Sequence, residues 1–133
     1  DVDNGKMDVN GSTAGCAAGA GLALASLYFN EPVYLDVARA ATKMYYERDF
    51  LKGYAGGGAS EILQSPDSEA PWDMVESCII LYEVTGKQEW IDRAKFATHM
   101  LSTWMVSYDY KFPAGSAMEK AGTHAAGSIF FFF

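Results

Sequence analysis

Three carboxylates and an indole crowd into one short stretch of this chain. Asp67, Glu69, Trp72 and Asp73 fall in the run Gln64-Ser65-Pro66-Asp67-Ser68-Glu69-Ala70-Pro71-Trp72-Asp73. Carboxylates this close can divide the roles of proton donor and proton acceptor when their surroundings push their pKa values apart. The same residues also suit the start of a helix, where acidic groups meet the positive end of the dipole and cap free N–H groups. Asp67 and Glu69 therefore carry a structural reading beside the chemical one. Asp73 and Glu76 lie deeper in a mostly apolar stretch, where a carboxylate must find partners or shift its pKa. Glu61, in the preceding Gly58-Ala59-Ser60-Glu61-Ile62, could reach the same cleft or simply be solvated.

Further along, His124 sits among small residues in Ala121-Gly122-Thr123-His124-Ala125-Ala126-Gly127. An imidazole at a helix start can bond a hydroxyl or carry a proton, and it can equally pack against a loop. Tyr108 and Tyr110, with Tyr54 and Phe112, offer flat faces and hydroxyls, or serve to glue loops down. His99 lies inside a helical stretch and reads as structural, and Glu119 has Lys120 beside it as a surface partner.

Several chemistries are not supported. Cys16 and Cys78 both sit in apolar stretches without a second ligand nearby, and read as buried free thiols. Gly56-Gly57-Gly58 lacks the Lys-Ser/Thr of a phosphate loop, and no nucleophile elbow is present. The opening residues, including Asp3, Asn4, Asp8 and Asn10, alternate like a calcium loop but lack its closing bidentate Glu. No metal and no cofactor are expected. A formal charge of −7, with no Lys/Arg cluster, argues against nucleic acid as a partner. No apolar run is long enough to cross a bilayer, and no signal peptide is visible. Two cysteines leave the compartment open, with secretion or the periplasm among the options.

The elements that would position these residues are helices. With 133 residues, 50% hydrophobic and 20% charged, the chain has the composition of one small globular domain. Helical segments are expected over residues 12–29, 32–50, 68–84 and 88–106, with a fifth starting near Thr123. Pro32 suits a first helical turn, Ser68 an N-cap and Gly86 a C-terminal stop. The first segment is apolar all round, as in a helix buried on most sides. The second and fourth carry matching stripes: Tyr34, Ala38, Ala41, Tyr45 and, 56 positions on, Trp90, Ala94, Ala97, Leu101. The segments before them share Leu27-Tyr28 and Leu81-Tyr82. Such a period, about 55 residues, marks helical pairs that must stack to bury their apolar faces. Long connections over 51–67 and 107–122 would gather at one end of the stack, where function usually collects.

The run Leu81-Tyr82-Glu83-Val84-Thr85-Gly86-Lys87-Gln88-Glu89-Trp90-Ile91-Asp92-Arg93-Ala94 resembles the hairpin motif of the six-hairpin glycosidase superfamily, and Leu27 through Ala38 is a looser copy. The resemblance implies an all-α fold of stacked helical hairpins, here about two and a half hairpins of an (α/α)6 toroid. It also implies a carbohydrate substrate bound at the long-loop end. Residues 1–133 then form a single domain or a piece of a larger toroid domain. A start at Asp1 without Met and an end in Ile129-Phe130-Phe131-Phe132-Phe133 fit the latter, completed by the rest of its own chain or another subunit. The implied activity is hydrolysis of a poly- or oligosaccharide by an acid–base pair, with inversion. Asp67, Glu69, Asp73 and His124 are the catalytic candidates, and Trp72, Tyr108, Tyr110 and Glu61 the substrate-binding ones. The alternatives are a non-catalytic helical-repeat binding module and a polysaccharide lyase. The lyase is weakened by the scarcity of cations near the loops (Lys52, Lys111, Lys120).

Overall fold

The computed structural model describes residues 12–56 and 66–129. Among them there is no β-strand, only two isolated bridges, Gly56 with Pro66 and Met105 with Ile129. The fold is all-α. A 3-10 turn, Ala14–Ala17, leads into α1, Ala18–Tyr28. Then come α2, Pro32–Arg48, and a second 3-10 turn, Phe50–Lys52. Next are α3, Glu69–Thr85, and α4, Gln88–Ser102, and last the four-residue α5, Ala117–Lys120.

Local chemistry explains the breaks. α1 stops where Asn30 takes a left-handed φ of 55°, and Pro32 restarts the helix at its first turn. Gly86 ends α3 with a φ of 66°, and its N–H bonds the Tyr82 carbonyl. α1 packs on α2, α3 on α4, and α1 against α3.

Small residues let the first 3-10 turn and α1 lie close against both α2 and α3. A Cβ placed on Gly19 would lie 2.2 Å from Thr42 Oγ1 and 2.9 Å from Ser77 Oγ. One on Gly15 would lie 2.0 Å from the Tyr45 hydroxyl. Where the 3-10 turn passes into α1, Ser77 Oγ donates to the Cys16 carbonyl at 2.7 Å and accepts from the Ala20 N–H at 3.0 Å. A side chain of α3 thus satisfies backbone groups at the start of α1. Around this seam Cys16, Ala23, Met74, Cys78 and Leu81 are fully buried. Farther out, Tyr46 of α2 meets Phe96 of α4 edge-on at 5.7 Å, and the Arg93 guanidinium lies over Tyr46 and the buried Trp90.

Two expectations are corrected. Among the described residues the first segment packs mainly on α2 and α3, and Ala17, Ala18, Gly21, Leu24 and Tyr28 are exposed. No helix begins at Thr123 within the described residues. Residues 123–125 are irregular, and Gly122 and Gly127 take φ of 63° and 86°. The helical turn lies earlier, inside the stretch expected as loop. Ser116 Oγ accepts the Glu119 N–H at 3.2 Å, and Glu119 accepts the Gly115 N–H at 2.6 Å, close to a capping box.

Two glycines of α1 give opposite tests. Gly19→Ala forces a methyl into Thr42 and should lower stability by about 1–3 kcal/mol. Gly21→Ala meets nothing within 4 Å and should raise it by about 0.5–1 kcal/mol. Urea denaturation followed by circular dichroism reads both. Equal effects of the two would mean that the seam is not this tight.

Candidate functional site

The N-terminus of α3 organises the end of the molecule that carries the long connections. The cap bond comes from Asp67 rather than Ser68: Asp67 Oδ1 accepts the Ala70 N–H at 3.0 Å. The Asp67 N–H in turn donates to the Ala55 carbonyl at 3.3 Å, which ties the first connection to α3. Asp67 is 4% exposed, so this carboxylate is held in the wall rather than presented to solvent.

A second buried acid sits close by in the fold. Asp49 Oδ2 accepts from Thr13 Oγ1 at 2.8 Å, and Oδ1 accepts from Arg48 Nε at 2.6 Å. Thr13 exchanges backbone and side-chain bonds with Gly56. Asp49 thereby joins the end of α2, the start of α1 and the first connection. It was not among the residues singled out from sequence, because nothing local marks Arg48-Asp49-Phe50 as more than a helix end.

Beside this wall lies an open groove of about 420 Å³ lined by Ser68, Glu69, Trp72, Asp73, Leu101 and Ile129. It brings together three of the expected site residues. Trp72 is 60% exposed, so the indole is a surface face rather than core. Glu69 and Asp73 are one turn apart on the same side of α3. Partial burial, reinforced by the carboxylates of Glu69, Glu76 and Asp67, pushes the Asp73 carboxyl up to about 6. Glu76, expected deeper, is exposed. A second hollow of about 360 Å³ is lined by Gly53, Tyr54, Ala55, Pro66, Met100, Thr103 and Trp104. The described parts of the first connection therefore meet the chain just after α4.

The remaining candidates lie off the groove. His124 opens no helix; its Nδ1 lies 3.0 Å from Asp109 Oδ2, with the ring 80% exposed. Asp109 Oδ1 accepts the backbone N–H groups of Ala125 and Ala126 at 2.8 and 2.9 Å. The Ala126 N–H and His124 hold the Asp109 carboxyl below its ordinary range. Asp109 is a further residue that sequence reading missed, since its partners are fifteen to seventeen positions away. Tyr108 and Tyr110, on either side of it, are exposed and pack edge-on at 5.3 Å. None of Asp67, Tyr108, Tyr110 or His124 lines the groove of Trp72. Glu61 and the opening acidic segment lie outside the described residues.

Cys16 and Cys78 are free and buried. Burial raises both thiols, Cys78 to about 12, so neither is a thiolate at neutral pH. Among the described residues no cluster of three His, Cys, Asp or Glu could hold a metal ion, and no helix is long and apolar enough to cross a membrane. No protein-family model matches the chain, nor does any curated protein or solved structure.

The Asp73 environment makes a pH prediction. Its folded pKa lies above the ordinary value of 3.8, so the native state favours the proton. The stability this contributes is present below pH 3.8 and lost as pH rises through about 6. Asp73→Asn should therefore unfold at higher urea than the parent at pH 8, with the difference shrinking towards pH 4. A gap that is constant across this range would mean that Asp73 titrates normally.

Proposed function

We propose that this protein processes carbohydrate, with the groove at the start of α3 as the saccharide site and glycoside hydrolysis as the reaction. The carrying observation is the exposed Trp72 beside Asp73 in one groove, where partial burial and the neighbouring carboxylates push the Asp73 carboxyl up to about 6. An indole face is suited to the apolar face of a sugar ring. A carboxyl raised in this way is suited to protonating a leaving-group oxygen. In this reading Trp72 is the platform, Asp73 the general acid, and Glu69 orients hydroxyls and helps keep Asp73 protonated. The pairing of α1 with α2 and of α3 with α4, on matching apolar stripes, supports a stack of helical hairpins of the (α/α)6 toroid kind.

A second reading is favoured by one feature of the geometry. Glycosidases place their two carboxylates on opposite sides of the scissile bond. Glu69 and Asp73 project from the same side of one helix. A base on the far wall must come from another segment, and without one the groove is a binding module that holds glycan without cleaving it.

Binding and turnover separate these readings. Trp72→Ala should weaken binding of soluble oligosaccharides about five- to tenfold, the worth of a stacked ring at about 1 kcal/mol. Asp73→Asn should leave binding near the parent level and cut release of reducing sugar by about 10²-fold or more. Binding that depends on Trp72 without any turnover by the parent would establish the module. Absence of binding across an oligosaccharide panel, read by calorimetry, would end both readings.

A further inference from the structure

The chain leaves the helices after α4 and comes back to them at Ile129, and the return is held in two places. At its neck the Val106 N–H donates to the Ser128 carbonyl at 2.8 Å and the Gly127 N–H to the Val106 carbonyl at 2.9 Å, beside the Met105–Ile129 bridge. Val106 and Ala125 are buried here. Just before the neck, Asp109 takes hold of the turn. Its Oδ1 accepts the Ala125 N–H at 2.8 Å and the Ala126 N–H at 2.9 Å, and its Oδ2 meets His124 Nδ1 at 3.0 Å. One carboxylate of the outgoing chain thus grips three consecutive residues of the returning chain. On either side of it, Tyr108 and Tyr110 pack edge-on at 5.3 Å and brace the segment that presents the acid.

We propose that Asp109 is the positioning residue of the Trp72 groove: by fixing the turn at 124–126 it sets the register of the neck and so keeps Ile129 in the groove wall. Two arguments carry it. First, two short paired segments are marginally stable in water by themselves. Among the described residues no third segment pairs with this neck. A slip of one residue would turn Ile129 to the opposite face, since side chains alternate along a paired segment. Gly127, with a φ of 86°, leaves the backbone free to move at this point. Second, Asp109 removes that freedom. It binds the N–H groups of two adjacent residues through one oxygen, so a slip of one residue leaves at least one of them unpaired. Bonds to an ionised carboxylate are stronger than neutral ones. The Ala126 N–H and His124 hold the Asp109 carboxyl below its ordinary range, so it is ionised at neutral pH. Ile129 is what the second connection contributes to the groove, where it stands with Trp72, Asp73 and Leu101. Burial is the largest cause of the raised Asp73 carboxyl. Asp109 does not line the groove, and it acts there through Ile129 alone. The proposal deepens the reading of this groove as the site, and it rests on the groove's wall rather than on its ligand.

Solution NMR of the parent, Asp109→Ala and Asp109→Asn tests it. Alanine removes both acceptor oxygens. Asparagine keeps one, placed to accept the same two N–H groups. In Asp109→Ala the Val106 and Gly127 amides should exchange about tenfold faster, as expected when the bonds that anchor a turn are lost. The Ile129 methyl and Trp72 indole signals should move, and the Asp73 carboxyl should titrate below the parent's value of about 6, towards 3.8. Asp109→Asn should return all of these most of the way to the parent, and amides inside α3 and α4 should exchange at parent rates in both variants. Faster exchange at the neck with unmoved Ile129 and Trp72 signals would mean that Asp109 merely holds its own turn, and would overturn the proposal. So would unchanged exchange in Asp109→Ala, an asparagine variant as disturbed as the alanine one, or a loss of structure that reaches α3 and α4. The methyl and indole signals read the wall directly, and no saccharide is present, so failure here is distinct from failure of the saccharide reading.

Discussion

At Gly19 one helix lies close against two others at once, and much else follows from it. α1 can lie against both Thr42 of α2 and Ser77 of α3 because position 19 has no side chain. That closeness is what lets the Ser77 hydroxyl reach both the Cys16 carbonyl and the Ala20 N–H. These backbone groups sit where a 3-10 turn passes into an α-helix, away from water, and leaving them unpaired would cost on the order of 1–3 kcal/mol each. The seam sets the distance between α1 and α3. Their starts in turn decide where the first connection crosses, with Thr13 bonded to Gly56 and Asp67 to Ala55.

The carboxylates at this end show how one residue type is put to different uses by position. Asp67 turns into the protein and satisfies the free N–H of Ala70. Asp49 is closed in by Thr13 and Arg48. Glu69 and Asp73 face the groove with no cation among its lining residues, and their mutual repulsion adds to the burial that raises Asp73. The buried pair of acids builds the wall, and the other pair lines the groove. A reading that treats Asp67, Glu69 and Asp73 as one cluster merges two different physical situations.

Helices were legible in the sequence where their apolar spacing is set by neighbours of the same kind. The stripes of α2 and α4 place Ala38, Ala94 and Ala97 in the core, and Pro32 and Gly86 mark a start and a stop through backbone geometry alone. The segment after α4 was not legible in the same way. Thr123-His124-Ala125 has the composition of a helix start, yet Asp109 captures the Ala125 and Ala126 N–H groups and the His124 ring. A long-range acceptor there holds an irregular turn that local preference does not foresee. The Ser116-to-Glu119 spacing was a usable signal for α5, obscured by the glycines on either side. Ser68 against Asp67 is a subtler case: both are good caps, and Asp67 prevails because its N–H is also anchored on Ala55.

The groove itself could be anticipated only in part, because its far wall is not contributed by α3. Trp72 and Asp73 share a helix, and their spacing already places them near one another. Leu101 and Ile129 come from the end of α4 and from the returning chain. Ile129 is held there by the Met105 bridge and by the Val106 N–H bond to the Ser128 carbonyl. The apolar side of the groove is therefore fixed by the second connection and the acidic side by the first turn of α3. The raised Asp73 carboxyl reflects this asymmetry: partial burial on one flank and the carboxylates of Glu69, Glu76 and Asp67 on the other, with no cation among the residues that line the groove. The shape and polarity of this groove are thus a property of how the second connection returns to the start of α3, more than of the acidic run by itself.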